Sequence, residues 1–281
     1  MTAIFRAPML VLSFLSLLAV AVPVPQARAA DTEKLETFLE VTGFDVALES
    51  IRLSADAAPQ MLGIEADAFG SEWSRLVGEV FKTDLMHEMA LDILGKTLDD
   101  DALDHAADFY ASEFGQRLVK AENSSHMIED DELKSESGTA IIDGLVRIGS
   151  PRVELLRSLN EASDVEDSSI RAIQEVQIRF LMAAAGAGVI ELQMDEPDLR
   201  EALRAQEGDM RASIQSNALA NAAYTYQAFS DVEIDAYAKA LAHPTMQKVY
   251  ELMNAVQYEI QANRFEEVAA RLSGMQPSQD L

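Results

Sequence analysis

Apolar side chains recur three and four residues apart through most of this chain, and no stretch sustains the alternation of two that a half-buried strand requires. The sharpest stripe is Trp73, Leu76, Val77, Val80 and Phe81, all on one helical face. Before it, Leu35, Phe38 and Leu39 begin a helix running from Asp31 to about Ala57. Gly43 is placed to interrupt that helix, and Phe44, Leu48 and Ile51 continue it on a second stripe. Pro59 and Gly63 mark a turn. Leu85, Met86, Met89, Ile93 and Leu94 predict another helix. After the four acids from Glu129 to Glu132, Ile141, Ile142, Leu145 and Ile148 offer an apolar face to a partner. Ser150-Pro151 reads as a helix start, serine capping and proline in the first position, with Val153, Leu156 and Leu159 following. The most apolar internal run, Ile178 to Leu192, is rich in alanine and glycine, which suits close helix packing. A helix restarts at Pro197 and reaches Phe229 with a break near Gly208. Val256, Ile260, Val268 and Leu272 line the last helix, and Ser273 to Leu281 reads as a frayed tail. The fold class predicted is all-α: antiparallel helical pairs in two similar halves packed together.

One stretch organises this pattern. Leu98 to Asn123 reads as helix, break at Ser112, helix, and a weaker echo of it runs from Phe229 to Asn254. In the early pair Leu103, Ala106, Ala107 and Tyr110 share a stripe, and in the late pair Ile234, Tyr237, Ala238 and Leu241 hold the same positions. Past the break, Phe114, Leu118 and Ala121 correspond to Thr245, Val249 and Leu252. Identities fall at Asp100/Asp231, Asp104/Asp235, Ala107/Ala238, Ala111/Ala242, Gln116/Gln247 and Asn123/Asn254. The shared pattern points to an internal repeat. Asp99 is the expected N-cap of the early pair, and Ser230 with Glu233 has capping-box spacing in the late one. Ser112 is placed to cap the helix after the early break; His243-Pro244 makes the late break. Gly115, lacking a Cβ, lets the second helix approach the first.

The early pair resembles the signature of a bacterial family known as domain of unknown function 2059, in which an acidic helix leads to an aromatic pair, a serine-proline-x-glycine turn and an amphipathic helix. The matching residues are Phe109, Tyr110, Ser112, Gly115, Gln116 and Leu118, with Glu113 where the family usually has proline. The late pair has the proline, Pro244, but Met246 in place of the glycine. The resemblance implies an exported, all-helical protein and supplies no activity or catalytic residue.

The first residues agree with export. Arg6 is followed by an apolar core from Met9 to Val22, then by Pro23 and Pro25, and Ala27-Arg28-Ala29 fits the small-x-small cleavage rule. Residues 1–29 are therefore expected to be a signal peptide, residues 30–163 an N-terminal helical half with the first repeat, and residues 164–281 a C-terminal half with the diverged one. The polar segment from Asp164 to Ser169 is the expected linker. The apolar core is short for a membrane anchor, so a soluble periplasmic protein with no stable membrane insertion is expected. The formal net charge is −26, from 22 basic and 48 acidic residues, and losing the leader's two arginines makes the remainder more acidic still. Such a chain repels nucleic acid. With no cysteine, it has no disulfide, thiol nucleophile or thiolate metal site.

Catalytic signatures are sparse. There is no G-x-S-x-G, H-E-x-x-H, P-loop or EF-hand pattern. Gly186-Ala187-Gly188 lies in an apolar run without a preceding strand and reads as a packing feature. Asp101, His105 and Asp108 share a helix face and are the best candidate metal ligands. The late pair has Val232, Ala236 and Lys239 there, so the element packs without them. His87-Glu88 and His126 with Glu129 are weaker candidates. Among 48 acids, no carboxylate pair stands out for acid–base work. No catalytic, cofactor-binding or metal residue is assigned on this pattern.

Three functions remain open at this point. In order of preference they are a periplasmic interaction or structural module without catalytic activity, a chaperone-like binder of an apolar ligand or peptide, and a metal-dependent hydrolase on the Asp101–His105 face. The first expects an envelope protein or a second copy of the chain as partner. The second is motivated by twelve methionines and the Ile178–Leu192 run.

Overall fold

Local signals start and stop the helices as the chain is followed. The structure, a computed structural model, describes residues 31–55, 58–63, 70–128, 130–163 and 165–272. The expected signal peptide, residues 1–29, and the C-terminal tail lie outside these residues. Helix α1 (Thr32–Thr42) is capped by the Asp31 side chain, which accepts from the Glu33 amide. It ends at Gly43, whose φ of 66° is the left-handed conformation that glycine adopts without steric cost. That break turns the chain into α2 (Phe44–Ser54), and the short α3 (Ala58–Met61) precedes α4 (Gly70–Val80) and α5 (Thr83–Thr97). Asp99 caps α6 (Asp100–Ala111) through the Ala102 amide. Ser112 turns extended and caps α7 (Glu113–His126) through the Gly115 amide. Asp130 caps α8 (Asp131–Arg147).

The second part of the chain follows the same rules with some departures from expectation. At α9 (Arg152–Ala162) the cap position is Pro151 itself, one residue later than expected, with Ser150 Oγ accepting from the Arg152 amide at 3.3 Å. The expected linker is not a loop where it is described: from Val165 the chain is already helix α10 (Val165–Gly186). Gly186 and Gly188 also have a different role from the packing expected of them. No atom lies within 4 Å of where a Cβ would stand on either. Instead Gly188, at φ 72°, reverses the chain, and the amides of Gly188 and Val189 bond back to Ala185 and Ala184. Asp195 caps α11 (Glu196–Ala205), which breaks at Gln206 before α12 (Glu207–Thr225). Ser230 and Glu233 form the complete capping box of α13 (Asp231–Leu241), and Pro244 opens the long α14 (Pro244–Leu272).

Among the described residues there is no strand, so the fold is all-α as expected. Helices from before and after residue 164 contribute to one apolar core. Helix α14 is its axis: α4, α5 and α6 pack on it from the first part of the chain, and α10 runs beside it from the second. Phe265 of α14 meets Phe81 and Phe180 edge-to-face, at ring separations of 5.6 and 5.4 Å. Arg179 of α10 ties the same two helices from outside by pairing with Glu266 and Glu259 of α14. Trp73 is buried in this core, as its stripe predicts, and so are Phe180 and Ala184 of the apolar internal run; Ile178 is buried too. Burying each large apolar side chain contributes on the order of 1.5–3 kcal/mol. Helix α8 packs along α12 at Gly138, where a Cβ would lie 2.1 Å from the Ala220 carbonyl oxygen, so this pairing requires glycine. Helix α9 packs along α13, and Arg152 locks the contact by bonding to Asp231 and to the carbonyls of Tyr226 and Phe229.

Candidate functional site

The early pair, α6–α7, and the late pair, α13–α14, face one another and exchange contacts. Gly115 sits so close to α6 that a Cβ there would lie 2.3 Å from the Phe109 carbonyl oxygen and 2.6 Å from Tyr110 Cα. Position 246 of the late pair carries a buried methionine instead. Arg117 of α7 reaches across to Glu233 in the late capping box, at 2.6 Å. Its counterpart Lys248 of α14 reaches back to Asp99, the early N-cap. His105 of α6 stacks on His243 at the late break, with ring centroids 4.5 Å apart. Phe109 and Tyr237 stack nearly parallel at 5.9 Å.

Where the two pairs meet α1, α2, α9 and α12, they leave a pocket of about 430 Å³. That is within the size range of small-molecule sites. Its floor includes Phe38, Leu241 and Val249, all buried, and its rim includes Asn221, which is exposed. At its centre stands Glu122 of α7. Both Tyr226 and Tyr237 donate to Glu122 Oε1, at 2.7 and 2.8 Å. The Tyr237 hydroxyl is also 2.8 Å from that of Tyr250 and 3.2 Å from that of Tyr110, and the last two are 2.5 Å apart. Five separate segments thus bring one oxygen-bearing side chain each to one point.

A phenol has one proton to donate. Tyr226 and Tyr237 spend theirs on Glu122. Tyr237 can therefore only accept from its neighbours, and following the two shorter contacts of the trio, Tyr250 donates to Tyr237 and Tyr110 donates to Tyr250. Every hydroxyl proton of the quartet points, directly or in series, toward Glu122. Burial pushes the Glu122 carboxyl above its usual range, and the two phenol bonds pull the other way. Burial likewise pushes the hydroxyls of Tyr110, Tyr226, Tyr237 and Tyr250 upward, so all four stay protonated. Five amides line the pocket with them, those of Asn123, Asn160, Asn221, Asn254 and Gln257. Lys134 and His126 also line it; the Lys134 ammonium lies 3.2 Å from the Ser125 carbonyl, and burial and Lys134 together lower the His126 pKa.

The residues singled out from sequence fall elsewhere. Asp101 and Asp108 point to solvent, while His105 is half-buried against His243. His87 bonds to Asp45 at 2.6 Å, and Glu129 lies outside the described residues. Among the described residues no group of three or more histidine and carboxylate side chains is placed to hold a metal ion. None of these positions joins the pocket except His126. The methionines divide: Met86 and Met246 are buried, Met253 lines the pocket, and Met127 and Met194 are exposed. Sequence reasoning missed Glu122. The signal was present, because Glu122 follows Leu118 by four residues and precedes Ser125 by three, which puts an acid in the buried stripe of α7.

No curated protein and no solved structure matches the chain. Among the described residues no helix is long and apolar enough to cross a membrane. Residues 84–143, the segment from α5 into α8 that carries Tyr110, Gly115, Glu122 and Asn123, match the bacterial family described as "Uncharacterized protein conserved in bacteria (DUF2059)", the family that the Phe109–Leu118 stretch resembles.

Proposed function

We propose that this chain is an exported, periplasmic binding module that takes a small molecule into the pocket between its early and late helical pairs. The observation that carries the reading is the pocket itself. It holds a carboxylate and four phenols in one hydrogen-bonded set, with five amides around them, none of which bonds to another described residue through its side chain. Helix packing alone does not call for that collection of polar groups, since burying them costs free energy unless something satisfies them. Export is supported by the expected signal peptide at residues 1–29. The arrangement is a binding site rather than a nucleophilic centre. Of the two serines that line the pocket, Ser125 accepts from the Thr225 hydroxyl at 2.8 Å and Ser163 donates to the carbonyls of Leu159 and Asn160.

The test is native mass spectrometry of the chain purified from the envelope of its own bacterium. Extra mass that is lost on denaturation supports the reading. A bare chain mass, with no binding by any member of a broad small-molecule panel, overturns it. A second reading, a module that docks an envelope protein or another copy of itself, is favoured by one observation. Val146 and Ile148 at the end of α8 are 61% and 76% exposed. Crosslinking in the intact envelope that yields no adduct at these positions would remove it.

A further inference from the structure

We propose that the pocket binds a small organic cation, a primary ammonium or guanidinium compound, with its N–H groups on Glu122 Oε2 and the neighbouring phenol oxygens. The inference rests on the reading of the pocket as a binding site and names the chemistry of what fills it.

The argument is an account of donors and acceptors. The four phenol protons are all committed within the cluster, two to Glu122 Oε1, one to Tyr237 and one to Tyr250. No hydroxyl proton is left to offer a ligand. What remains is acceptor capacity: lone pairs on Tyr110 and Tyr226, and the whole of Glu122 Oε2, to which no described residue donates. A carboxylate, a phosphate or an ether would bring more acceptors to a cluster whose own donors are already spent. An ammonium brings three donors and a guanidinium five.

Charge leads to the same class. Glu122 is part-buried, and no cationic side chain is among the groups that shift its carboxyl, which are burial and the two phenols. A buried carboxylate without a counter-charge is costly, and a bound cation supplies the missing one. The other titratable groups of the pocket do not fill that role. Lys134 is turned to the α7 carbonyl end at Ser125, and burial holds His126 toward its neutral form. The chain's formal net charge of −26 draws cations toward the pocket mouth and repels anions. The amides of Asn123, Asn221 and Asn254 then serve the rest of the ligand, since an amide can both donate and accept.

The experiment is isothermal titration of the purified chain with three probes of matched length: n-pentylammonium, 1-pentanol and pentanoate. The expected order is ammonium tightest, by at least about tenfold over the alcohol, with pentanoate not binding. Glu122→Gln keeps an acceptor for both phenols but removes the charge. It should weaken pentylammonium by at least about tenfold, and by more than it changes 1-pentanol. The wild-type order stands as a test even where that variant fails to fold. Equal affinity for the ammonium and the alcohol, or tightest binding of pentanoate, overturns the cation assignment and leaves the pocket as a binding site. No binding of any probe, together with a bare mass for the chain from its own envelope, overturns both.

Discussion

The early and late helical pairs begin alike and end differently. Both start on a side-chain cap, break after the first helix, and carry a cation in the same register that crosses to the other pair, Arg117 to Glu233 and Lys248 to Asp99. Their interiors then diverge. The early pair closes on Gly115 with backbone against backbone, and the position after its stripe alanine is Glu122. The late pair has Met246 and Met253 at the same two places, Met246 buried and Met253 on the pocket wall. Asn123 and Asn254, identical in the two pairs, both line the pocket. Two similar frames facing each other would give a symmetric cleft. Placing the acid in one and phenols Tyr237 and Tyr250 in the other gives that cleft a direction.

The largest expected effect breaks the close approach of the early pair. Gly115→Ala puts a Cβ within 2.6 Å of two backbone atoms that cannot rotate away. It should lower unfolding free energy by about 3 kcal/mol or more, measured by urea denaturation. Gly144→Ala in α8 is the control, since nothing lies within 4 Å of its Cβ site. It should be neutral or stabilising by up to about 1 kcal/mol, as alanine is the better helix former. Equal effects of the two would show that α7 does not close on α6 with backbone against backbone. In the late pair, Met246→Ala should cost about 2–5 kcal/mol for the opposite reason, a cavity.

Next in size is Tyr237→Phe. It removes one of two donors from Glu122 and leaves the Tyr250 hydroxyl without its acceptor, a loss of about 1–3 kcal/mol. Tyr226→Phe removes a donor but orphans nothing else in the quartet, so its cost should be the smaller of the two. The reverse order, read from denaturation midpoints, would mean that the hydroxyl series does not run through Tyr237.

These two predictions differ in how far the sequence foretold them. Asp99, Ser112, Gly115, Ser230 with Glu233, and Pro244 all act as their local spacing predicts, because caps and breaks depend on neighbours within four residues. The failures are where distance or placement decides. Asp164 to Ser169 looks like a linker from its polarity, yet from Val165 it forms the first turn of α10, which packs on α14. Nothing local singles out Gly138 of α8, whose role depends on Ala220 of α12 lying against it. Tyr110, Tyr226, Tyr237 and Tyr250 lie on four elements, and only the crossing of those elements makes them a quartet. Glu122 could have been found as an acid in an apolar stripe, but among 48 acids it does not stand out.

A third prediction sharpens the contrast between Glu122 and Met253 through pH. The folded-state carboxyl of Glu122 is raised by burial. The folded state therefore holds this proton more tightly than the unfolded chain does. Stability from this group is full below the ordinary carboxyl pKa of about 4.3 and is lost as pH rises through the folded value. Glu122→Gln cannot ionise, so its stability should not share that decline. Relative to wild type it should gain stability as pH rises from 4 to 7, by thermal denaturation at each pH. Parallel wild-type and variant curves across that range would mean that Glu122 is solvated as an ordinary surface acid.

The smallest effects belong to the crossed ion pairs, and they test whether the two frames are equivalent. Arg117 and Lys248 are both half exposed, so each pair alone contributes little to stability. The two are not matched in what else the cation touches. The Arg117 guanidinium also lies 5.0 Å from the centre of the Phe229 ring, whereas Lys248 has no ring contact among the described residues. Arg117→Ala should therefore lower the denaturation midpoint more than Lys248→Ala does. Raising the salt to about 1 M, where the Debye length is about 3 Å, should erase the Lys248 effect and leave part of the Arg117 effect, because ring contact and packing of the arginine stem are screened less than an exposed charge pair. If both variants lose their effect equally in high salt, the Phe229 contact adds nothing, and the two crossings are energetically the same despite the divergence of the interiors they flank.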